Sequence, residues 1–202
     1  EIARQVPDLE ICSIDSMQVC RGMDVGTAKP TPAEQAEVPY HLLDLADPAE
    51  DFTVAEFQAA MAEMLAGIEE RGHRALLVGG TALYLRAVVD GLTIPDRYPD
   101  VRAELDEEPD TTALHARLPE LDPVAAGRME PTNRRRVLRA LEVTVGSGRR
   151  FSEHGPGLEE HPPTPFTVVG VWLPKDVVAR RIAARYREQV AGGFVDEVRA
   201  LA

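Results

Sequence analysis

The stretch Ala75-Leu76-Leu77-Val78-Gly79-Gly80-Thr81-Ala82-Leu83-Tyr84-Leu85 decides the fold. An apolar run, a glycine pair and a helix-forming segment read as a buried strand that turns directly into a helix, here Ala82 to Val89. Upstream, Thr53 and Glu56 have the spacing of a capping box, and Phe52 and Phe57 occupy the two positions of a hydrophobic staple. Val54, Phe57, Met61, Leu65 and Ile68 then recur at helical spacing, and Gly72 is placed to end the helix. Further upstream, Leu9 to Ile14 reads as another short buried strand that ends at Asp15-Ser16. Strand, helix, strand, glycine turn, helix is the order of a parallel α/β sheet. Between Asp15 and Phe52 the chain is broken by Gly22, Gly26, Pro30, Pro32 and Pro39, and a loop of that length inside a domain is usually functional or mobile.

Downstream of Ile94 the pattern changes. Helical pieces separated by proline are expected near Val101 to Leu105, Thr112 to Leu118 and after Asp122-Pro123, where the pair supplies N-cap and N1. A longer helix is expected from Asn133 to Val145, with Leu138, Leu141 and Val145 as its buried stripe. Gly155 to Pro165 reads as a loop, and Phe166 to Leu173 as a returning strand. Asp176 to Val190 reads as a helix, Gly192-Gly193 as its interruption. The simplest layout is an α/β core over residues 1–93 and 163–202 with an α-helical insertion domain over 94–162.

The chain of 202 residues has a net charge of -12, which taken alone argues against nucleic-acid binding. The sign is uneven, however. Arg134-Arg135-Arg136 with Arg139, and Arg180, Arg181, Arg185 and Arg187, are local basic strips of the kind that hold phosphate on an acidic protein. No apolar run approaches the roughly 20 residues of a membrane helix. Cys12 and Cys20 read as free thiols, and no Cys/His spacing suggests a zinc site.

In an open parallel sheet, ligands sit at the carboxyl ends of the strands. Asp15 and Gly79-Gly80-Thr81 are both placed there. Thr81 at a helix N-terminus suits phosphate, and the glycines allow close backbone approach. A tight turn with an ordinary N-cap is the competing reading, and Asp15 reads equally well as a structural cap. Arg135, Arg136 and Arg139 share a helix face, as do Arg181 and Arg185. Each face is either a solvated surface or, for the second pair, a forked clamp for diphosphate.

Asp15-Ser16-Met17-Gln18-Val19-Cys20-Arg21-Gly22-Met23-Asp24-Val25-Gly26-Thr27-Ala28-Lys29-Pro30 closely resembles a signature of the tRNA dimethylallyltransferase family. Pro39 to Asp44, Val78 to Tyr84, Asp122-Pro123 leading to Arg136 through Val143, and Arg181-Ile182, Arg185 and Gly193-Phe194 through Glu197-Val198 resemble further motifs of that family, in its order. Two positions depart from the pattern: Cys20 stands where Tyr is usual, and Tyr40 where a first His is usual. The family's Gly-rich phosphate loop is not found, so a chain cut at both ends, and inactive without that loop, is expected.

The resemblance implies a P-loop NTPase-like core and transfer of a dimethylallyl group from its diphosphate to N6 of the adenosine 3′ of the anticodon. By it, Asp15 matches the general base and Thr81 acts at the oxygen beside the breaking bond. Arg181, Arg185, Gly79 and Gly80 match the diphosphate site. Asp15, Ser16, Met17 and Gln18 meet the extruded base, and Arg102, Arg135, Arg136, Val137, Leu138 and Arg139 match tRNA contacts. Mg2+ is the implied cofactor. The tRNA anticodon stem-loop and dimethylallyl diphosphate are the implied partners of a cytoplasmic monomer with no membrane contact. The alternatives are a P-loop nucleotide or nucleoside kinase and a non-catalytic tRNA-binding remnant.

Overall fold

The computed structural model describes residues 1–155 and 160–202. Its elements run α1 (Ile2–Gln5), β1 (Leu9–Ile14), α2 (Pro32–Glu37), β2 (Tyr40–His41), α3 (Val54–Glu70), β3 (Arg74–Gly79), α4 (Ala82–Val89), α5 (Pro99–Asp106), α6 (Thr111–His115), α7 (Leu118–Leu121), α8 (Pro123–Gly127), α9 (Arg134–Ser147), a 3-10 turn (Phe151–Glu153), α10 (Lys175–Ala191) and α11 (Phe194–Leu201). Two compact units emerge: Glu1–Asp90 with Thr164–Ala202, and Gly91–Pro163.

The first unit holds a parallel sheet in the order β2–β1–β3. β1 pairs with β3 along its whole length, from Leu9↔Arg74 to Ile14↔Gly79, and with β2 only at Ile11↔Tyr40 and Cys12↔His41. Helix α3 starts as its sequence dictates. The Thr53 side chain accepts from the Glu56 N–H and the Glu56 carboxylate accepts from the Thr53 N–H. Gly72, at φ +71°, follows its last turn. Phe57, Met61 and Ile68 lie on the buried face of α3, and Phe57 stacks on Tyr84 of α4 with ring centroids 4.1 Å apart. With Cys12, Ile14, Val19 and Leu42 they make this unit's core.

The second unit is helical. Leu105, Leu114, Leu118, Ala125, Val137, Leu138, Ala140 and Leu141 form its core. Asp122 is fully buried. It accepts from the Ala125 N–H at 3.0 Å, capping α8, and from the Ser152 N–H and hydroxyl, both at 2.8 Å. Val145, expected in the buried stripe of α9, is half exposed because the helix rotates it past the core face.

One expected strand does not form. Phe166 to Leu173 belongs to no sheet; Val169 is 79% and Trp172 95% exposed. Apolar, β-branched composition suits a strand, but only a neighbour's N–H and C=O groups make one, and the paired edges here are β1 with β2 and β3. In the expected loop from Gly155 to Pro165, residues 156–159 lie outside the described residues.

Candidate active site

β1 delivers Asp15 to the carboxyl edge of the sheet. Its Oδ1 accepts the Met17 N–H at 2.8 Å, which closes a tight local turn. Beside it, Thr81 does not cap α4 with its side chain. Its hydroxyl instead accepts the Ser16 N–H at 3.0 Å and reaches the Ser16 hydroxyl at 3.3 Å, while the Thr81 N–H donates to Ile14 O at 3.3 Å. Thr81 is thus held one residue from Asp15.

Asp15 lines a cavity of about 390 Å³ with Met17, Thr27, Arg185, Phe194 and Glu197. Asp15 and Arg185, 170 positions apart in sequence, therefore face one space. Thr81 is not among the residues lining it. Arg181 is exposed on α10, one turn before Arg185, and also lies outside that lining.

Gly79, Gln18, Val137 and Leu138 each have a packing or bonding role within the fold. A Cβ on Gly79 would lie 2.0 Å from Ile14 O, so this glycine is required by the close approach of β1 to β3; Gly80, by contrast, has open space around it. The Gln18 amide donates to Thr27 O at 3.1 Å and Ala28 O at 3.3 Å, and its carbonyl accepts the Ser13 hydroxyl at 2.8 Å. Its side chain is thereby tied to the loop. The side chains of Val137 and Leu138 are buried in the helical core.

The arginines of the second unit divide in the same way. Arg135 and Arg136 are exposed on α9. Arg139 donates to Glu142 at 2.7 Å and to Pro95 O at 2.6 Å, and Arg102 donates to Asp106 at 2.7 Å. Glu142, itself buried, also accepts the Tyr98 N–H at 3.0 Å.

The structure also reveals residues that the sequence did not single out. The Glu197 carboxylate accepts three successive backbone N–H groups, from Asp24 at 2.7 Å, Val25 at 2.6 Å and Gly26 at 2.9 Å. Burial pushes its pKa up, but the three donors more than offset this and hold it below the usual carboxylate range. The Gln189 amide donates to Val25 O and Gly26 O, both at 3.0 Å. A Cβ on Gly26 would meet the Phe194 ring at 2.7 Å. Lys29, with a side chain only 3% exposed, donates to Cys20 O at 2.5 Å, Asp24 at 2.8 Å and Asp44 at 2.5 Å. Burial lowers its pKa and the two carboxylates raise it further, so the net shift is upward. Glu197, Gly26 and Lys29 stand in the quoted motifs, which is their sequence signal; Gln189 has none.

Among the described residues, no group of three or more His, Cys, Asp or Glu could hold a metal ion. Cys12 and Cys20 are free thiols, and burial pushes the Cys12 pKa up to about 12. Among the described residues, no helix is long and apolar enough to cross a membrane.

The sequence and the fold have counterparts in known proteins. The model of the IPP transferase family matches residues 18–202. The chain belongs to that family. It is 47% identical over 196 residues to a tRNA dimethylallyltransferase of Chloroflexus aggregans, covering 94% of this chain and 65% of that relative. It is 47% identical over 201 residues to that of Roseiflexus castenholzii, covering 96% and 64%. The chain thus spans just under two thirds of the length of these curated family members. The full-length tRNA isopentenylpyrophosphate transferase of Bacillus halodurans superposes with a TM-score of 0.62 at 37% identity, over 99% of this chain and 63% of that one. A eukaryotic dimethylallyltransferase solved while acting on tRNA shares the fold with a TM-score of 0.80 at 24% identity, over 95% of this chain and 49% of that one. The family fold is α/β with a P-loop NTPase-like core, in accord with the sequence reading.

Proposed function

We propose that this chain carries the prenyl-transfer site of a tRNA dimethylallyltransferase. The supporting observation is that Asp15 and Arg185 line one cavity, with the Thr81 hydroxyl bonded to Ser16, the residue after Asp15. The acceptor, N6 of the adenosine 3′ of the anticodon, is a weak nucleophile because its lone pair is delocalised into the ring. Asp15 orients the amine and takes its proton as the new N–C bond forms. The allylic C–O bond breaks, and its electron pair leaves on diphosphate. Arg185, with Arg181 one turn earlier, neutralises those oxygens, and Thr81 donates to the oxygen at the breaking bond. Arg135 and Arg136 supply phosphate contacts to the anticodon stem-loop, which is read by shape and backbone. Gly80 is left as the open backbone position of the glycine pair.

Mg2+ is the ion expected of such a diphosphate reaction. Among the described residues the carboxylates do not fit a resident metal site: Glu197 is engaged by three backbone donors, and no group of three or more ligating side chains is present. An ion of this kind would arrive on the diphosphate, since Mg2+ commonly binds through substrate phosphates and one or two carboxylates. No step here runs through it. The remaining expectations, a cytoplasmic setting and a monomer, belong to the same proposal. None of the named relatives is a nucleotide kinase.

The test uses a chain completed to the relatives' full length, with labelled dimethylallyl diphosphate and tRNA. Label is expected on tRNA bearing the target adenosine and absent when that base is guanosine. Asp15→Ala should lower transfer by about 100-fold or more while tRNA binding stays within a few fold. Near-wild-type transfer by that variant would falsify Asp15 as the base, and turnover of ATP without tRNA would favour a kinase.

A further inference from the structure

Helix α10 carries Arg185 to the cavity, yet none of its apolar side chains is buried. Gln189 is the buried residue of α10, and α11 has none. Ile182, Tyr186, Val190, Val195 and Val198 are all substantially exposed. What ties these helices to the first unit's loop is polar and specific. Gln189 stands four residues after Arg185, on the same helix face, and grips the carbonyls of Val25 and Gly26. Glu197 grips the N–H groups of Asp24, Val25 and Gly26 from the other helix. Val25 and Gly26 are thus each held at N–H and at C=O, and the peptide unit between them is gripped from both sides. The loop's far side is anchored to β1 through Gln18, whose amide bonds Thr27 O and Ala28 O and whose carbonyl meets Ser13. Asp15 leaves the end of that strand.

We propose that Gln189 and Glu197 are positioning residues: they register α10 and α11 on the 24–26 loop and so fix the separation of Arg185 from Asp15 across the cavity. The inference rests on the prenyl-transfer reading for its kinetic consequence, but not for its structural one. Gly26 belongs to the same device. With no side chain it admits the Phe194 ring, which lets Glu197, one turn on, reach the loop amides.

Glu197→Gln keeps the shape but turns one accepting oxygen into a donor, which opposes at least one of the three N–H groups. Gln189→Met keeps the length and removes both donors. Hydrogen exchange on this chain should show the Asp24, Val25 and Gly26 amides of Glu197→Gln exchanging about tenfold faster or more, with β1 unchanged. Inorganic pyrophosphate, titrated as the probe of Arg185, should bind several-fold more weakly to both variants. In a chain completed to full length, kcat should fall about 10- to 100-fold, beyond any change in KM for dimethylallyl diphosphate. Unchanged exchange at 24–26 overturns the proposal. So does equal acceleration throughout β1, or an opened loop with undiminished pyrophosphate affinity. If the unsubstituted protein transfers no prenyl group, the functional reading fails, while exchange and pyrophosphate binding still decide the registration.

Discussion

Ser16 and Thr81 are joined by two hydrogen bonds across the carboxyl ends of β1 and β3, at 3.0 Å and 3.3 Å. The Ser16 N–H depends on the Thr81 hydroxyl as its acceptor. Thr81→Val preserves the branched shape and strands that N–H. We expect it to lower unfolding free energy in urea by about 1–3 kcal/mol. If Thr81 also serves the leaving oxygen, transfer in the completed chain should fall by about 10²- to 10³-fold, and Thr81→Ser should retain most of it. Lost stability with intact transfer would leave Thr81 a purely structural tie.

Neighbouring residues of α9 should separate cleanly in RNA binding. Arg136 is exposed and Leu138 is buried. Arg136→Ala should weaken tRNA binding and flatten the slope of log K against log salt by about 1, with no change in the urea midpoint. Leu138→Ala should instead cost about 2–5 kcal/mol of stability through the cavity it leaves, with the salt slope unchanged. The reverse pattern would contradict the division of this helix into an RNA-facing and a core face.

Gly79→Ala tests why the glycine pair exists. Its methyl would meet Ile14 O at 2.0 Å, so β1 and β3 must part. The expected loss is about 1–3 kcal/mol or more, read by thermal or urea unfolding. Gly80→Ala meets no such obstacle and should leave stability nearly unchanged. Comparable losses at both positions would refute the assignment to strand packing.

At the opposite end of β1, buried Glu10 accepts two bonds from Arg71, at 3.0 and 2.8 Å, and lies 2.5 Å from His41 and 2.6 Å from His73. The Arg71 bonds, against burial and with help from both histidines, lower its pKa from 4.5 to about 2. A carboxyl whose folded pKa lies below its unfolded one stabilises the fold above the unfolded value. That contribution disappears as pH falls from 4.5 through about 2. The wild type should therefore lose on the order of 2 kcal/mol over that window that Glu10→Gln does not lose, measured by urea unfolding at each pH. Parallel curves would remove Glu10 from the acid response.

Local rules made much of the first unit legible. The Thr53–Glu56 box, the Phe52–Phe57 staple and Gly72 define α3 from its own sequence, and the structure agrees at both ends. In the second unit Asp122 as cap of α8 was equally readable, whereas Asn133, expected as the first residue of its helix, is the cap of α9. Tyr40–His41 escaped because two residues carry no periodicity; only pairing with Ile11 and Cys12 makes them a strand. Phe166 to Leu173 misled for the converse reason, since its composition suits a strand that no neighbour pairs. Asp15 and Arg185 were readable as candidates, but not as residues of one cavity. Glu197 was unreadable as a clamp because its partners are backbone groups some 170 positions away, which leave no trace in residue identity.

The enclosure of Lys29 has a chemical consequence. It and Lys175 are the chain's two lysines. An acylating reagent needs an unprotonated, reachable amine, and Lys29 is kept charged and walled in by Cys20 O, Asp24 and Asp44 while Lys175 lies at the surface. Side-chain labelling should therefore mark position 175 at once and position 29 only at the rate at which the 20–29 segment springs open. The slow lysine is a built-in clock for that opening.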